Sequence, residues 1–187
     1  MGSWSDTSSA GVKTFDLDFG RVAVLICYDI NFIELWTQAE ALGADLLLWS
    51  SAMATPDPTA TAYARVFAYD VVEVGFPGAM IDRRGVPLNT TAGPAAWPML
   101  KTAEINIDRT YVHWDNNHEK VASLLADHPE IVVDEEGPPF YVLRSTKPDT
   151  VSARKLVAQY KIETNRQYIQ RSRRGLNLLR NYGAPPP

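Results

Sequence analysis

Arg21-Val-Ala-Val-Leu-Ile26, followed by Cys27-Tyr-Asp-Ile-Asn-Phe-Ile-Glu34 and the amphipathic stretch Leu35 to Leu42, is the segment from which the fold is read. The run after Arg21 is wholly apolar and short, as expected of a strand buried on both faces. It stops at Cys27, the only cysteine of the chain. A helical pattern then begins, so the thiol sits where a strand turns into a helix. Such an elbow holds a nucleophile at the rim of a sheet and aims the next backbone N–H groups at a developing oxyanion. Gly43-Ala-Asp45 turns the chain again, and Leu46-Leu-Leu-Trp-Ser50 reads as a second strand. Strand, Cys, helix and strand in this order indicate an α/β layered domain.

These residues resemble the nitrilase or carbon–nitrogen hydrolase superfamily. The resemblance rests on Phe19-Gly20, Cys27-Tyr28-Asp29, Phe32-Ile33-Glu34 and Gly43-Ala44-Asp45, with support from Gly78–Leu88 and Glu104-Ile-Asn-Ile-Asp108. It covers roughly residues 15–108 and implies one part of an α-β-β-α sandwich. It also implies a hydrolase of non-peptide carbon–nitrogen bonds, nearer to amidases than to nitrilases proper. Cys27 would be the nucleophile, and the Tyr28 backbone N–H an oxyanion donor. By family position Asp29, Phe32, Ser51, Ala52 and Met53 would line the pocket. Neither a metal nor an organic cofactor is implied; the partner would be a small amide or nitrile.

The resemblance also implies a Glu-Lys-Cys triad whose Glu and Lys lie upstream of the thiol. No glutamate precedes Cys27 here, and the sole lysine before it is Lys13. The expectation is therefore the C-terminal half of a longer enzyme, or a chain completed by a partner, inactive alone. An uncovered apolar sheet face would then favour association into an oligomer.

Each residue also has a plainer reading. A cysteine is ordinarily a small core residue, and a non-catalytic assembly module with Cys27 in its core is the alternative function. Asp29 and Glu34 could contact substrate or act as a substitute base. Acids in a first helical turn equally well serve the helix dipole or pair with a cation such as Arg65. His128-Pro-Glu130, about a hundred residues after the Cys, gives a third reading, a class I glutamine amidotransferase using Cys27, His128 and Glu130. Leu25 and Asp29 oppose it, since that elbow needs small flanking residues. The histidines His113, His118 and His128 have no partners at zinc spacing.

Composition bounds the rest. At 187 residues with 45% hydrophobic and 21% charged residues, the chain is of ordinary globular type. No apolar run reaches the roughly 18–20 residues of a bilayer span. One cysteine excludes an intrachain disulfide and suits a reducing compartment such as the cytoplasm. Asn89-Thr-Thr91 matches a glycosylation sequon, a triplet common by chance. Residues 1–150 hold 10 Lys/Arg against 21 Asp/Glu (−11), whereas residues 151–187 hold 8 against 1 (+7).

Two regions are expected, 1–145 as the hydrolase part and 146–187 as a basic helical extension. Strands are expected at Phe15–Phe19, Asp45–Ser50, Val71–Val74, Thr102–Ile107 and Phe140–Leu143. Ala79–Asp82 and Val86–Leu88 should form a hairpin turned by Arg83-Arg-Gly85. Helices are expected at Pro58–Ala68, His113–Ala126 and, as one long rod capped by Asp149 or Thr150, Val151–Arg180. Arg171, Arg173, Arg174 and Arg180 could track nucleic-acid phosphates, but a helix lying on the acidic body or clasping a neighbouring subunit is the favoured reading, and nucleic acid is not expected as a partner.

Overall fold

The computed structural model describes residues 11–54, 57–88, 91–92, 101–137 and 139–183. The chain divides into two compact units, Met1–Ile107 and Asp108–Pro187. The division lies where the family resemblance fades, and the expected boundary at 145/146 falls inside the second unit.

The first unit is a five-stranded sheet in the order β1-β2-β3-β4-β5, made of Thr14–Leu17, Gly20–Ile26, Leu46–Ala54, Asp70–Pro77 and Ala79–Ile81. Strands β2, β3 and β4 are parallel, and the two outer strands join by antiparallel hairpins. Parallel neighbours need crossover connections, usually helices. Here they are α1 (Ile33–Ala41) and α2 (Pro58–Phe67). Pro58 at the first helical position and Asp57 as cap, accepting Thr59 N–H at 2.7 Å, start α2. One sheet face carries Ala23, Leu25, Leu47, Trp49, Val71 and Ile81, closed by Trp36 and Ala39 of α1 and Ala60, Ala64 and Phe67 of α2. The other face exposes Phe15, Leu17, Val24, Ile26 and Val74, which the register places on one side of the sheet.

The hairpin after β5 turns at Arg83-Arg-Gly85 as expected, with Asp82 N–H on Val86 O at 2.9 Å. Ile81 pairs Pro87 in an isolated bridge, and Gly85, at φ 76°, donates to Asp82 O at 2.8 Å. A Cβ at Gly85 would lie 2.6 Å from Thr61 O, so only glycine fits under α2. Arg83, buried against Asp70, ties the hairpin to β4 through its N–H at 2.9 Å and its Nε at 3.2 Å. The strand expected at 102–107 shrinks to β7 (Lys101–Thr102), paired among the described residues with β6 (Thr91–Ala92). Asn89 lies outside the described residues.

The second unit departs further from expectation. Its sheet runs β8-β10-β9, from Thr110–His113, Phe140–Ser145 and Ile131–Gly137, all antiparallel. His113 thus belongs to a strand, and helix α3 begins only at His118 and ends at Asp127. The segment Ile131–Gly137, for which no element was expected, is β9. Arg109 and Arg144 hold its Asp134 at 2.7 and 2.8 Å and offset part of the acidic charge of this strand. The single rod expected over 151–180 is two helices, α4 (Ala153–Gln159) and α5 (Asn165–Gly183). Ser152 caps α4, not Asp149 or Thr150. The chain breaks at Lys161, whose φ of 52° is left-handed, and restarts at a Thr164–Gln167 capping box. Val112, Leu124, Leu143, Val157 and Ile162 form the core of this unit. Among the described residues no helix is long and apolar enough to cross a membrane.

Candidate active site

Strand β2 delivers Cys27 to the edge of the core, and a single turn of 3-10 helix, Cys27–Asn31, carries the chain into α1. Cys27 takes φ 43°, a region that a side chain with a Cβ rarely occupies, so the elbow is strained at the thiol itself. Three contacts hold it there. The Trp49 indole, one strand away, donates to Cys27 O at 2.9 Å. The Trp36 indole, from α1, donates to Asp29 O at 3.0 Å. The Asp29 carboxylate accepts Ile26 N–H at 2.8 Å, closing the turn on itself. Both tryptophans are buried, so the elbow is braced by the core of the unit.

The thiol is exposed. That is the reverse of what the assembly-module alternative requires, because it needs Cys27 as a core residue. The Ser51 hydroxyl, on β3, points to Sγ at a long 3.9 Å. Tyr28 N–H lies in the first turn of the 3-10 helix, where backbone donors have no partner within the helix. The rings of Tyr28 and Phe32 are both largely exposed and meet edge to face at 6.0 Å. Ala52 is exposed on β3, and Met53 continues the same strand. The structure therefore gathers Cys27 and Ser51 in contact and sets Tyr28 and Phe32 on the elbow. Asp29 is spent on the backbone. Neither Asp29 nor Glu34 pairs with Arg65 among the described residues.

Glu73 is the residue that sequence reading passed over. It occupies β4 in register with Trp49 and is almost fully buried. Its Oε1 accepts Asp57 N–H at 3.1 Å, while Oε2 has no partner. Burial, aided by the Asp57 charge and opposed by that hydrogen bond, pushes its pKa up to about 7. The signal was a lone acid inside Val71-Val-Glu-Val74.

Upstream of the thiol the sequence supplies no glutamate, and Lys13 is exposed just before β1. His128 caps α3 and faces Glu130, Nδ1 to Oε1 3.3 Å, in the other unit.

The family model described as carbon-nitrogen hydrolase matches residues 3–113. That span includes Cys27, Tyr28, Asp29, Phe32 and Ser51–Met53 and omits His128 and Glu130. No curated protein matches the chain. Among solved structures, the chain is similar to a mutant of the Nesterenkonia AN1 amidase from the nitrilase superfamily, at 20% identity and TM-score 0.40, over 42% of this chain and 36% of that one. It is similar to an amidase from Nesterenkonia sp. at 18% identity and TM-score 0.40, over 49% and 39%. Saccharomyces cerevisiae Nit3, a member of branch 10 of the nitrilase superfamily, is 25% identical at TM-score 0.38, over 43% and 36%. The chain thus spans between 36% and 39% of the length of these proteins.

Proposed function

The chain belongs to the carbon–nitrogen hydrolase family, and from that membership we propose that Cys27 is the nucleophile of an amidase-type reaction on a small linear amide. The observation that carries the reading is the strained, exposed thiol at the end of β2, with its carbonyl fixed by Trp49. The thiolate attacks the amide carbon, a C–S bond forms, and the oxyanion is met by Tyr28 N–H. The C–N bond then breaks, and ammonia or an amine leaves with a proton. Water attacks the thioester, the C–S bond breaks, and the acid departs. One oxyanion donor of this kind is typically worth about 10²–10³ in rate. Phe32, Ser51, Ala52 and Met53 flank the pocket, and Asp29 acts by holding the elbow.

The proton acceptor and the second oxyanion donor are the Glu and Lys that the family resemblance implies. These 187 residues place no glutamate ahead of Cys27, and their one lysine there, Lys13, is exposed before β1, so alone they are expected not to turn over an amide. The exposed face of Phe15, Leu17, Val24, Ile26 and Val74 is where completing structure or a second subunit would seat, in a reducing compartment such as the cytoplasm.

Iodoacetamide, itself a small primary amide, tests the reading. Intact-mass kinetics should show one adduct, at Cys27, with a rate that saturates in reagent and slows when a linear amide competes. Iodoacetate should label without saturation. A rate linear in iodoacetamide and equal to that of free cysteine would sink the pocket. Steady amide hydrolysis by these residues alone would refute the need for an outside Glu and Lys.

A further inference from the structure

The second unit contains a cleft of about 750 Å³ among α3, α4 and α5. Its charged lining is Lys120, Arg154, Lys161, Arg171 and Arg174 against one acid, Glu163. We propose that this cleft binds a small molecule bearing two or more phosphate groups. The inference is independent of the Cys27 reading and uses none of its residues.

Two of these cations, Lys161 and Arg174, are left for a ligand, while others engage the protein. Glu163 is consumed by Arg171, which grips it bidentately at 2.8 and 2.9 Å. That grip holds the Glu163 carboxyl below its ordinary pKa, so the acid stays ionised and its charge is already spent. Lys120 is pinned at the cleft by donating to Lys161 O at 2.8 Å. The ammonium of Lys161 and the guanidinium of Arg174 have no partner among the described residues. Two neutral polar side chains of the lining, Asn117 and Gln167, are by contrast occupied. Asn117 is buried and bridges His113 O and Glu163 O at 2.7 and 2.9 Å, and Gln167 closes the cap of α5. What the cleft offers is positive charge, with the N-terminal turn of α5 adding to it.

Lys161 strengthens the case. It sits at the left-handed position that ends α4, with its N–H on Ala158 O at 3.1 Å and Ile162 N–H on Val157 O at 3.0 Å. Glycine is the residue this motif favours. A lysine there keeps a strained backbone and places a cation in the cleft. Several cations spread along one cleft match a phosphate chain, whose charge is distributed over many oxygens; a single carboxylate would satisfy one of them. The size suits a small molecule, and Val157 and Ile162 give an apolar wall.

Calorimetric titration of the full chain with tripolyphosphate and with ATP tests the proposal. Binding in the range of about 1–50 μM is expected at low salt, weakening by about tenfold or more as salt rises severalfold. Lys161→Gly should weaken it several-fold while raising Tm by about 3 °C, a pairing that a misfolded variant cannot produce. Arg174→Ala, at an exposed position, should weaken it without moving Tm. ATP binding more tightly than tripolyphosphate would support a nucleotide that uses the apolar wall; equal affinities would support the bare phosphate chain. No heat up to about 1 mM of either probe, or affinity untouched by both variants, overturns the site. So does a single-stranded oligonucleotide that binds about tenfold more tightly than both, since it would make this surface a nucleic-acid track.

Discussion

Helices α1 and α4 end in the same way, yet one ends on glycine and the other on lysine. At α1, Gly43 N–H bonds Glu40 O at 2.9 Å and Ala44 N–H bonds Ala39 O at 3.0 Å. At α4, Lys161 and Ile162 repeat that pair of bonds on Ala158 and Val157. Both ends pack an apolar residue onto the core of their own unit, Ala44 in the first and Ile162 in the second. Gly43 takes φ 81° without penalty, whereas Lys161 takes φ 52° against its own Cβ. The difference teaches that the backbone plan is shared and that the side chain decides where strain is kept. Strain alone is no marker of function, since Ala68 at φ 55° ends α2 with no side chain to offer.

The largest effect expected sets backbone strain against the other kind of cost, a buried charge. Glu73 has a folded pKa of about 7, above the ordinary 4.5. The stability it contributes is therefore complete below pH 4.5 and declines as pH rises through 7. Glu73→Gln should flatten that decline, gaining on the order of 3 kcal/mol over the parent near pH 8 and almost nothing near pH 4. Urea melts at the two pH values read it directly. Equal gains at both would show that Glu73 is solvated or paired.

Exchanging the two helix ends comes next in size. Gly43→Lys should destabilise by about 1–2 kcal/mol, because a Cβ enters the left-handed region. Lys161→Gly should stabilise by about 1 kcal/mol for the converse reason. If both substitutions proved neutral in thermal melts, the contrast between the ends would rest on geometry without energetic content.

The first unit was legible because its signals are local. A strand ending on Cys27, Gly43-Ala-Asp45 and Pro58 each mark a turn by residue type, and the structure puts α1, β3 and α2 there. The second unit was misread, or left without an assignment, where distant residues decide. Thr110–His113 is a strand because it pairs β10, and Ile131–Gly137 is one partly because Arg109 and Arg144 neutralise Asp134. The break in the long basic helix did carry a local signal, the Thr164-x-x-Gln167 box. Helical spacing running from Leu156 to Leu179 masked it. At the candidate site, Cys27 and its elbow could be read from sequence. The bracing by Trp36 and Trp49 and the burial of Glu73 could not, since they depend on which strand lies beside which.

The smallest effect expected lies at Cys27, where the same comparison can be drawn at the entry to a helix. Its φ of 43° is left-handed like that of Lys161, and its carbonyl is tied to Trp49. Cys27→Gly should relieve the turn and stabilise the protein by about 0.5–1 kcal/mol, part of the gain being returned as chain entropy. Cys27→Ala keeps the Cβ, so it should leave stability unchanged. Both variants abolish alkylation, which makes the stability difference between them a measure of strain free of chemistry. A glycine variant no more stable than the alanine one would mean that the tryptophan-braced turn holds its conformation at no cost. The thiol would then be kept at the sheet rim by packing alone.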